Sequence, residues 1–216
     1  MTARAILCFG DSNTHGTRAM TSSFDRRRLE PTARWTSIMG KALGPDFDVI
    51  AEGHPGRTTV FDDPIEGTHK NARRALQAIL ESHRPIDLVI MMLGTNDLKA
   101  RFNVSAHDIS LGVQRLIMEI HGNDSGPEGT APAVLLAAPV PVIETGVFAD
   151  TFAGAAEKSR ALPALLEQIA ARQDVAFADM GQHATVDPVD GIHLDATAHA
   201  AIGGVMAKSV LAFFKE

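Results

Sequence analysis

The stretch Asp87-Leu88-Val89-Ile90-Met91-Met92-Leu93, running into Gly94-Thr95-Asn96-Asp97, decides the fold. From Leu88 to Leu93 every side chain is apolar, with no period-two alternation, which is the pattern of a parallel strand covered on both faces. Parallel neighbours have to be joined by crossover segments, usually helices. Four further aliphatic runs, 4–9, 47–51, 133–138 and 175–179, join 86–93 as predicted strands. Between them lie helical patterns. From Ser105 to His121, apolar Ile109, Val113, Leu116, Ile117 and Ile120 fall at helical spacing; Ser105 with Asp108 resembles a capping box, and Gly122 is a stop. Trp35 opens another pattern with Ile38, Met39 and Leu43. A last one begins at Asp195 and carries Ile202, Val205, Met206, Val210 and Phe213. Strands alternating with helices predict one α/β domain over residues 1–216 with a mostly parallel sheet of five strands.

In such sheets, sites form beyond the carboxyl ends of the strands, near a switch in strand order. Four short motifs stand at those positions: Gly10-Asp11-Ser12-Asn13, Gly53-His54-Pro55-Gly56-Arg57-Thr58-Thr59, Gly94-Thr95-Asn96-Asp97 and Asp190-Gly191-Ile192-His193. Singly, each is a common turn composition. Their shared position at strand exits predicts a single site.

The residue types suit acyl transfer. A serine hydroxyl attacks an ester only when a base takes its proton. Ser12 is the candidate nucleophile, His193 the candidate base, and Asp190 the carboxylate that fixes the imidazole tautomer. The negative oxygen formed in the attack needs donors arranged in advance. Candidates are the side-chain amide of Asn96 and the backbone N–H groups of Ser12 and Gly56, with glycine at 56 permitting close approach. Asp11 and Asp97 tie down their turns, and Gly53 is read as a turn residue.

These motifs resemble those of the SGNH (GDSL-type) hydrolase superfamily. Ser12, Gly56, Asn96 and His193 match its four signature positions, and Asp190 matches the triad acid, with the similarity spanning residues 5–199 in outline. Ile6–Ser12, Arg57-Thr58-Thr59, Asp62-Asp63-Pro64 and Leu93–Lys99 are most similar to the bacterial short-chain arylesterase and acyltransferase subgroup. The resemblance implies a flavodoxin-like three-layer α/β/α sandwich and ester hydrolysis with neither metal nor organic cofactor. It also implies a homo-oligomer whose neighbouring subunits narrow the acyl pocket. One departure is Asn13, where the family usually has leucine; a polar group there alters packing under the nucleophile or the pocket mouth.

Other residues carry competing readings. Arg57 either touches substrate or anchors its loop to Asp62 or Asp63, the second being favoured. Ile192 and Leu194 flank the base and are candidate pocket walls. His15 either lines the pocket or packs beside it, and Trp35 is read as a packing residue. His183, Asp187, His193 and His199 are close in sequence, but no metal-ligand spacing accompanies them, so capping or surface roles are expected. Residues 17–33 and 139–150 are long loops of the sort that build lids, substrate walls or subunit contacts.

Composition excludes several classes. The 216 residues carry a net charge of −6, unlike the basic footprint of a nucleic-acid binder, and Arg26-Arg27-Arg28 is a local basic cluster read as solvated or as a subunit contact. The single cysteine, Cys8, lies in an apolar run and is read as a buried hydrophobe. No signal-peptide pattern and no stretch of about 20 apolar residues is read, so a cytoplasmic, non-membrane protein is expected. Phosphate-binding glycine loops and the Gly-x-Ser-x-Gly elbow are missing too, as Thr14 stands at the second glycine. Two alternatives stand beside this reading: a carbohydrate or thioester deacylase using the same triad, and a non-catalytic flavodoxin-like module that holds an anion or nucleotide at the oxyanion donors but leaves Asp190 and His193 unexplained. The expected partner is a small ester.

Overall fold

In the computed structural model, which describes residues 3–215, the five apolar runs form five parallel strands. They are β1 (Arg4–Gly10), β2 (Phe47–Gly53), β3 (Leu88–Met92), β4 (Ala133–Ala138) and β5 (Ala176–Asp179). Met1, Thr2 and Glu216, which the sequence reading includes in its single unit, lie outside the described residues. Six helices connect and flank the strands: α1 (Ser12–His15), α2 (Trp35–Leu43), α3 (Ala72–Ser82), α4 (Ala106–His121), α5 (Ala155–Gln173) and α6 (Ala196–Phe213).

Alternation along the strands builds two cores. Leu7 and Phe9 of β1, with Val89 and Met91 of β3, meet α3, α4 and α5 on one face. Ile6 and Cys8, with Leu88, Ile90 and Met92, meet α2 and α6 on the other. Burial pushes the Cys8 thiol pKa up, so it behaves as a packing group. Trp35 is fully buried in the second core, as a packing residue should be. The capping box of α4 forms with both bonds, Asp108 N–H to Ser105 Oγ at 3.1 Å and Ser105 N–H to Asp108 Oδ2 at 2.9 Å. By length and mean hydropathy (1.3), α6 is apolar enough to cross a membrane. Here its stripe of Ala198, Ile202, Met206 and Val210 packs into the second core.

The strand order is β2-β1-β3-β4-β5. The chain steps from β1 to the β2 edge and then crosses back to β3. Loops leaving β1 and β3 therefore diverge and open a crevice at their carboxyl ends. Register brings three motifs level, because Gly10 pairs with Gly53 on one side and with Met92 on the other.

Gly53 ends β2 and is not itself a turn. A Cβ there would lie 2.1 Å from His15 N and 2.6 Å from Thr14 C, so its lack of a side chain lets α1 cross the strand end.

Candidate active site

Ser12 lies just past β1, at the first position of α1. Asp11 caps that helix, its Oδ1 accepting from Asn13 N–H at 2.9 Å, and Gly16 ends it with φ 84°. A serine at the start of so short a helix is held at the mouth of the crevice. The Asn13 side chain turns away from the mouth and donates to Ile192 O at 3.1 Å, tying the first motif to the last.

His193 follows β5 in a loop that also carries Asp190. The Asp190 carboxylate is buried and accepts four hydrogen bonds. His193 Nδ1 contributes one at 2.6 Å and Met20 N–H one at 2.7 Å, both to Oδ2; Ile192 N–H and His193 N–H each contribute one at 3.0 Å to Oδ1. Burial works to raise its pKa, but the bonds from His193 and Met20 outweigh that and hold it below the usual carboxylate range. A carboxylate so held keeps the proton on Nδ1 and leaves Nε2 as an acceptor.

The second motif forms a turn in which Arg57 N–H donates to His54 O at 3.0 Å and Gly56 has φ 81°. Proline at the second position and a positive φ at the third make it type II. The third motif is pinned to the second: Asp97 accepts from Thr59 N–H at 2.9 Å and Thr59 Oγ1 at 2.6 Å. Burial raises the Asp97 pKa to about 6 against these bonds. Asn96 Nδ2 lies 3.4 Å from Asp11 Oδ2, so its amide stands over the loop that carries Ser12.

Ser12, Gly56, Asn96, Ile192 and His193 line one cavity of about 440 Å³. Among the described residues, neither the Ser12 nor the Gly56 N–H donates a hydrogen bond within the protein. No hydrogen bond joins Ser12 to His193, although such pairs are often loose until substrate is bound. Phe148 and Phe152 make an apolar wall, with the Phe148 ring 6.1 Å from that of His193. Glu66, Lys70, Lys99 and Arg101 make a charged one. Glu66 Oε1 accepts from Lys99 at 2.5 Å and Arg101 at 3.0 Å, and the same two cations reach Asp63.

The cavity-facing segments include both long loops singled out in the sequence. Residues 17–33 supply Met20 and Arg26, and 139–150 supply Phe148. His15 also lines it; burial and the nearby Arg28 and Arg34 lower its pKa to about 4.

Three candidates face elsewhere. Arg57 is buried and donates to Gly10 O (2.8 Å) and Glu52 O, with its guanidinium carbon 4.3 Å from the centre of the Phe9 ring. It clamps the ends of β1 and β2, whereas Asp62 pairs with Arg74, and Asp63 with Lys99 and Arg101. Leu194 packs into the second core with Val186 and Ala198 and does not line the cavity. Asn13 is buried behind Ser12, tied to Ile192 O, and does not line the cavity. Of the remaining histidines, His199 is a cap: its Nδ1 accepts the Trp35 N–H at 3.1 Å at the start of α2. Among the described residues, no cluster of ligands suited to a metal ion occurs.

The family profile of GDSL-like lipases and acylhydrolases matches residues 8–201. The chain belongs to this family. No curated protein sequence matches it. Among solved structures, the aryl esterase of M. smegmatis is 36% identical with a TM-score of 0.93, covering 97% of this chain and 99% of that one. A carbohydrate acetylesterase from Sinorhizobium meliloti is 37% identical with a TM-score of 0.93, covering 98% and 100%. A putative arylesterase from Agrobacterium tumefaciens is 34% identical with a TM-score of 0.85, covering 97% and 99%. The parallel sheet and flanking helices of this GDSL-like chain are the SGNH hydrolase fold. Among its relatives are esterases of both aryl and carbohydrate esters.

Proposed function

We propose that the protein is a serine esterase acting on small carboxylic esters through an acyl-enzyme. Ser12 Oγ attacks the carbonyl carbon while His193 Nε2 takes its proton, and Asp190 stabilises the imidazolium. The Ser12 and Gly56 N–H groups and the Asn96 amide receive the negative oxygen. His193 then returns the proton to the leaving alkoxide or phenoxide, and the C–O bond breaks. Water, deprotonated by the same imidazole, releases the acid. Alcohols or peroxide arriving in place of water would give acyl transfer or a peracid.

The observation that carries this reading is the cavity shared by Ser12 and His193, with the 2.6 Å bond from His193 to buried Asp190 behind it. A non-catalytic anion site has no use for that pair. The apolar wall of Phe148 and Phe152 suits a short acyl or aryl group. A second reading, deacylation of carbohydrate esters, is favoured by the charged wall, whose Glu66, Lys70 and Arg101 suit hydroxyl-rich leaving groups, and by the Sinorhizobium relative.

The test is hydrolysis of p-nitrophenyl esters from acetyl to octanoyl, beside acetylated sugars, by the wild type and Ser12→Ala. Turnover that falls with chain length and vanishes in the variant supports the esterase. Turnover unchanged by Ser12→Ala would remove the proposed nucleophile.

A further inference from the structure

The turn that carries Gly56 can exist in two forms. Type I and type II turns differ by rotation of the central peptide, here Pro55–Gly56, through roughly half a circle. Proline is compatible with the second position of either, and glycine at the third position meets no side-chain barrier to changing its φ. Pro55-Gly56 favours type II without excluding type I, so what surrounds the turn decides how firmly the Gly56 N–H is aimed. In a trans peptide the C=O and N–H point in opposite directions, so whatever holds Pro55 O also aims the Gly56 N–H.

Lys70 holds it. The ammonium of Lys70 donates to Pro55 O at 2.8 Å and forms no ion pair among the described residues. The lysine is anchored at both ends, since its backbone carbonyl accepts the Thr58 N–H at 2.9 Å. Its stem packs on the glycine: a Cβ at Gly56 would sit 3.2 Å from Lys70 Cε and 2.7 Å from Glu66 Oε2. We propose that Lys70 is a positioning residue that locks the His54–Arg57 turn in its type II form and so aims the Gly56 N–H at the reacting carbonyl. A charged donor on Pro55 O also polarises the peptide, which makes its N–H a stronger donor. The inference rests on the proposed oxyanion role of Gly56.

The groups facing the ammonium are Glu66 and Asp63 from the loop before it, Lys99 after β3, Arg26 from the 17–33 loop, and His54, whose Nε2 is 3.5 Å away. Burial, reinforced by Lys99 and Arg26 against the two carboxylates, lowers the Lys70 pKa below the ordinary 10.5.

The experiment measures kcat and KM for p-nitrophenyl acetate with the wild type, Ser12→Ala, Lys70→Met and Lys70→Arg, after circular dichroism has shown each to be folded. Losing an oxyanion donor outright costs about 10²–10³ in turnover. A donor left unaimed costs less, so Lys70→Met should lower kcat about 10- to 100-fold with KM within about twofold. Lys70→Arg, which can still bond Pro55 O, should recover most of it. The wild type should lose kcat at alkaline pH below 10.5, and in Lys70→Arg that limb should move upward. Wild-type kcat in folded Lys70→Met, or an equal loss in Lys70→Arg with an unmoved limb, overturns the positioning role while Ser12-dependent turnover leaves the esterase standing. Turnover that does not depend on Ser12 overturns both.

Discussion

Replacing Asp190 by asparagine is the sharpest test of the site, because the structure dictates which way the new amide must lie. Oδ1 accepts from two backbone N–H groups, those of Ile192 and His193, and Oδ2 accepts from Met20 N–H and His193 Nδ1. An amide nitrogen at the Oδ1 place would strand two backbone donors. At the Oδ2 place it strands only that of Met20, while the imidazole can adapt by changing tautomer. One stranded buried donor costs about 1–3 kcal/mol, so the second orientation prevails by about that amount. In that orientation the asparagine donates to Nδ1, the ring proton moves to Nε2, and the base can no longer take the Ser12 proton. The loss in kcat for a wrong tautomer of this kind is about 10⁴-fold, or about 5 kcal/mol of barrier. The stranded Met20 N–H should lower the melting temperature by several degrees, at about 2–4 °C per kcal/mol for a chain of this size. Single-turnover and steady-state kinetics on p-nitrophenyl acetate, with a thermal melt, measure both. A folded Asp190→Asn enzyme within tenfold of wild-type kcat would refute the reasoning.

Three further substitutions separate packing from protonation. Gly53→Ala places a Cβ against the backbone of His15 and Thr14. It should cost at or above the upper end of the ~1–3 kcal/mol typical of overpacking, read by urea denaturation. His199→Leu strands the Trp35 N–H and should cost about 1–2 kcal/mol at pH 8. Burial lowers the His199 pKa from 6.5 to about 4, so its neutral form stabilises the fold above pH 6.5 and loses that contribution as pH falls toward 4. The gap between wild type and His199→Leu should therefore narrow in melts run from pH 7 to 4.5. Asp97 behaves oppositely: its pKa rises from 3.8 to about 6, so the native state takes up the proton first and stability grows as pH falls through that window. Asp97→Asn should lack this gain, and a parallel pH dependence in the two proteins would count against the buried carboxylate.

Much of this was legible in the sequence because strands and strand exits are local features. The unbroken apolar run at 88–92 is too short for a buried helix and so reads as a strand, and the motifs after each strand fall together once the register is set. Side-chain direction in the loops was not legible, because it depends on what packs behind. Leu194 and Ile192 are equivalent as flanking residues in sequence, yet one joins the second core and the other the cavity. Arg57 carries no sign that its partners are carbonyls at the ends of β1 and β2 and not nearby carboxylates. Helix α5 contains Pro163, a residue that ordinarily argues against a helix interior, yet Leu162, Leu166 and Ile169 around it are buried in the first core. Lys70 belongs to no motif at all; its only trace is a lysine close after the Gly56 turn.

The bond from Asn13 to Ile192 O spans 179 residues. On the ribosome, Ser12 thus emerges long before the loop that carries His193 has been synthesised. A half-made chain would hold the proposed nucleophile but not its base, and so should neither cleave esters nor acylate itself. On the proposed mechanism, activity should therefore appear only once the 190–193 loop has docked. Any agent that frees that loop, such as a protease cutting between β5 and α6, should silence the enzyme while leaving most of the sheet intact.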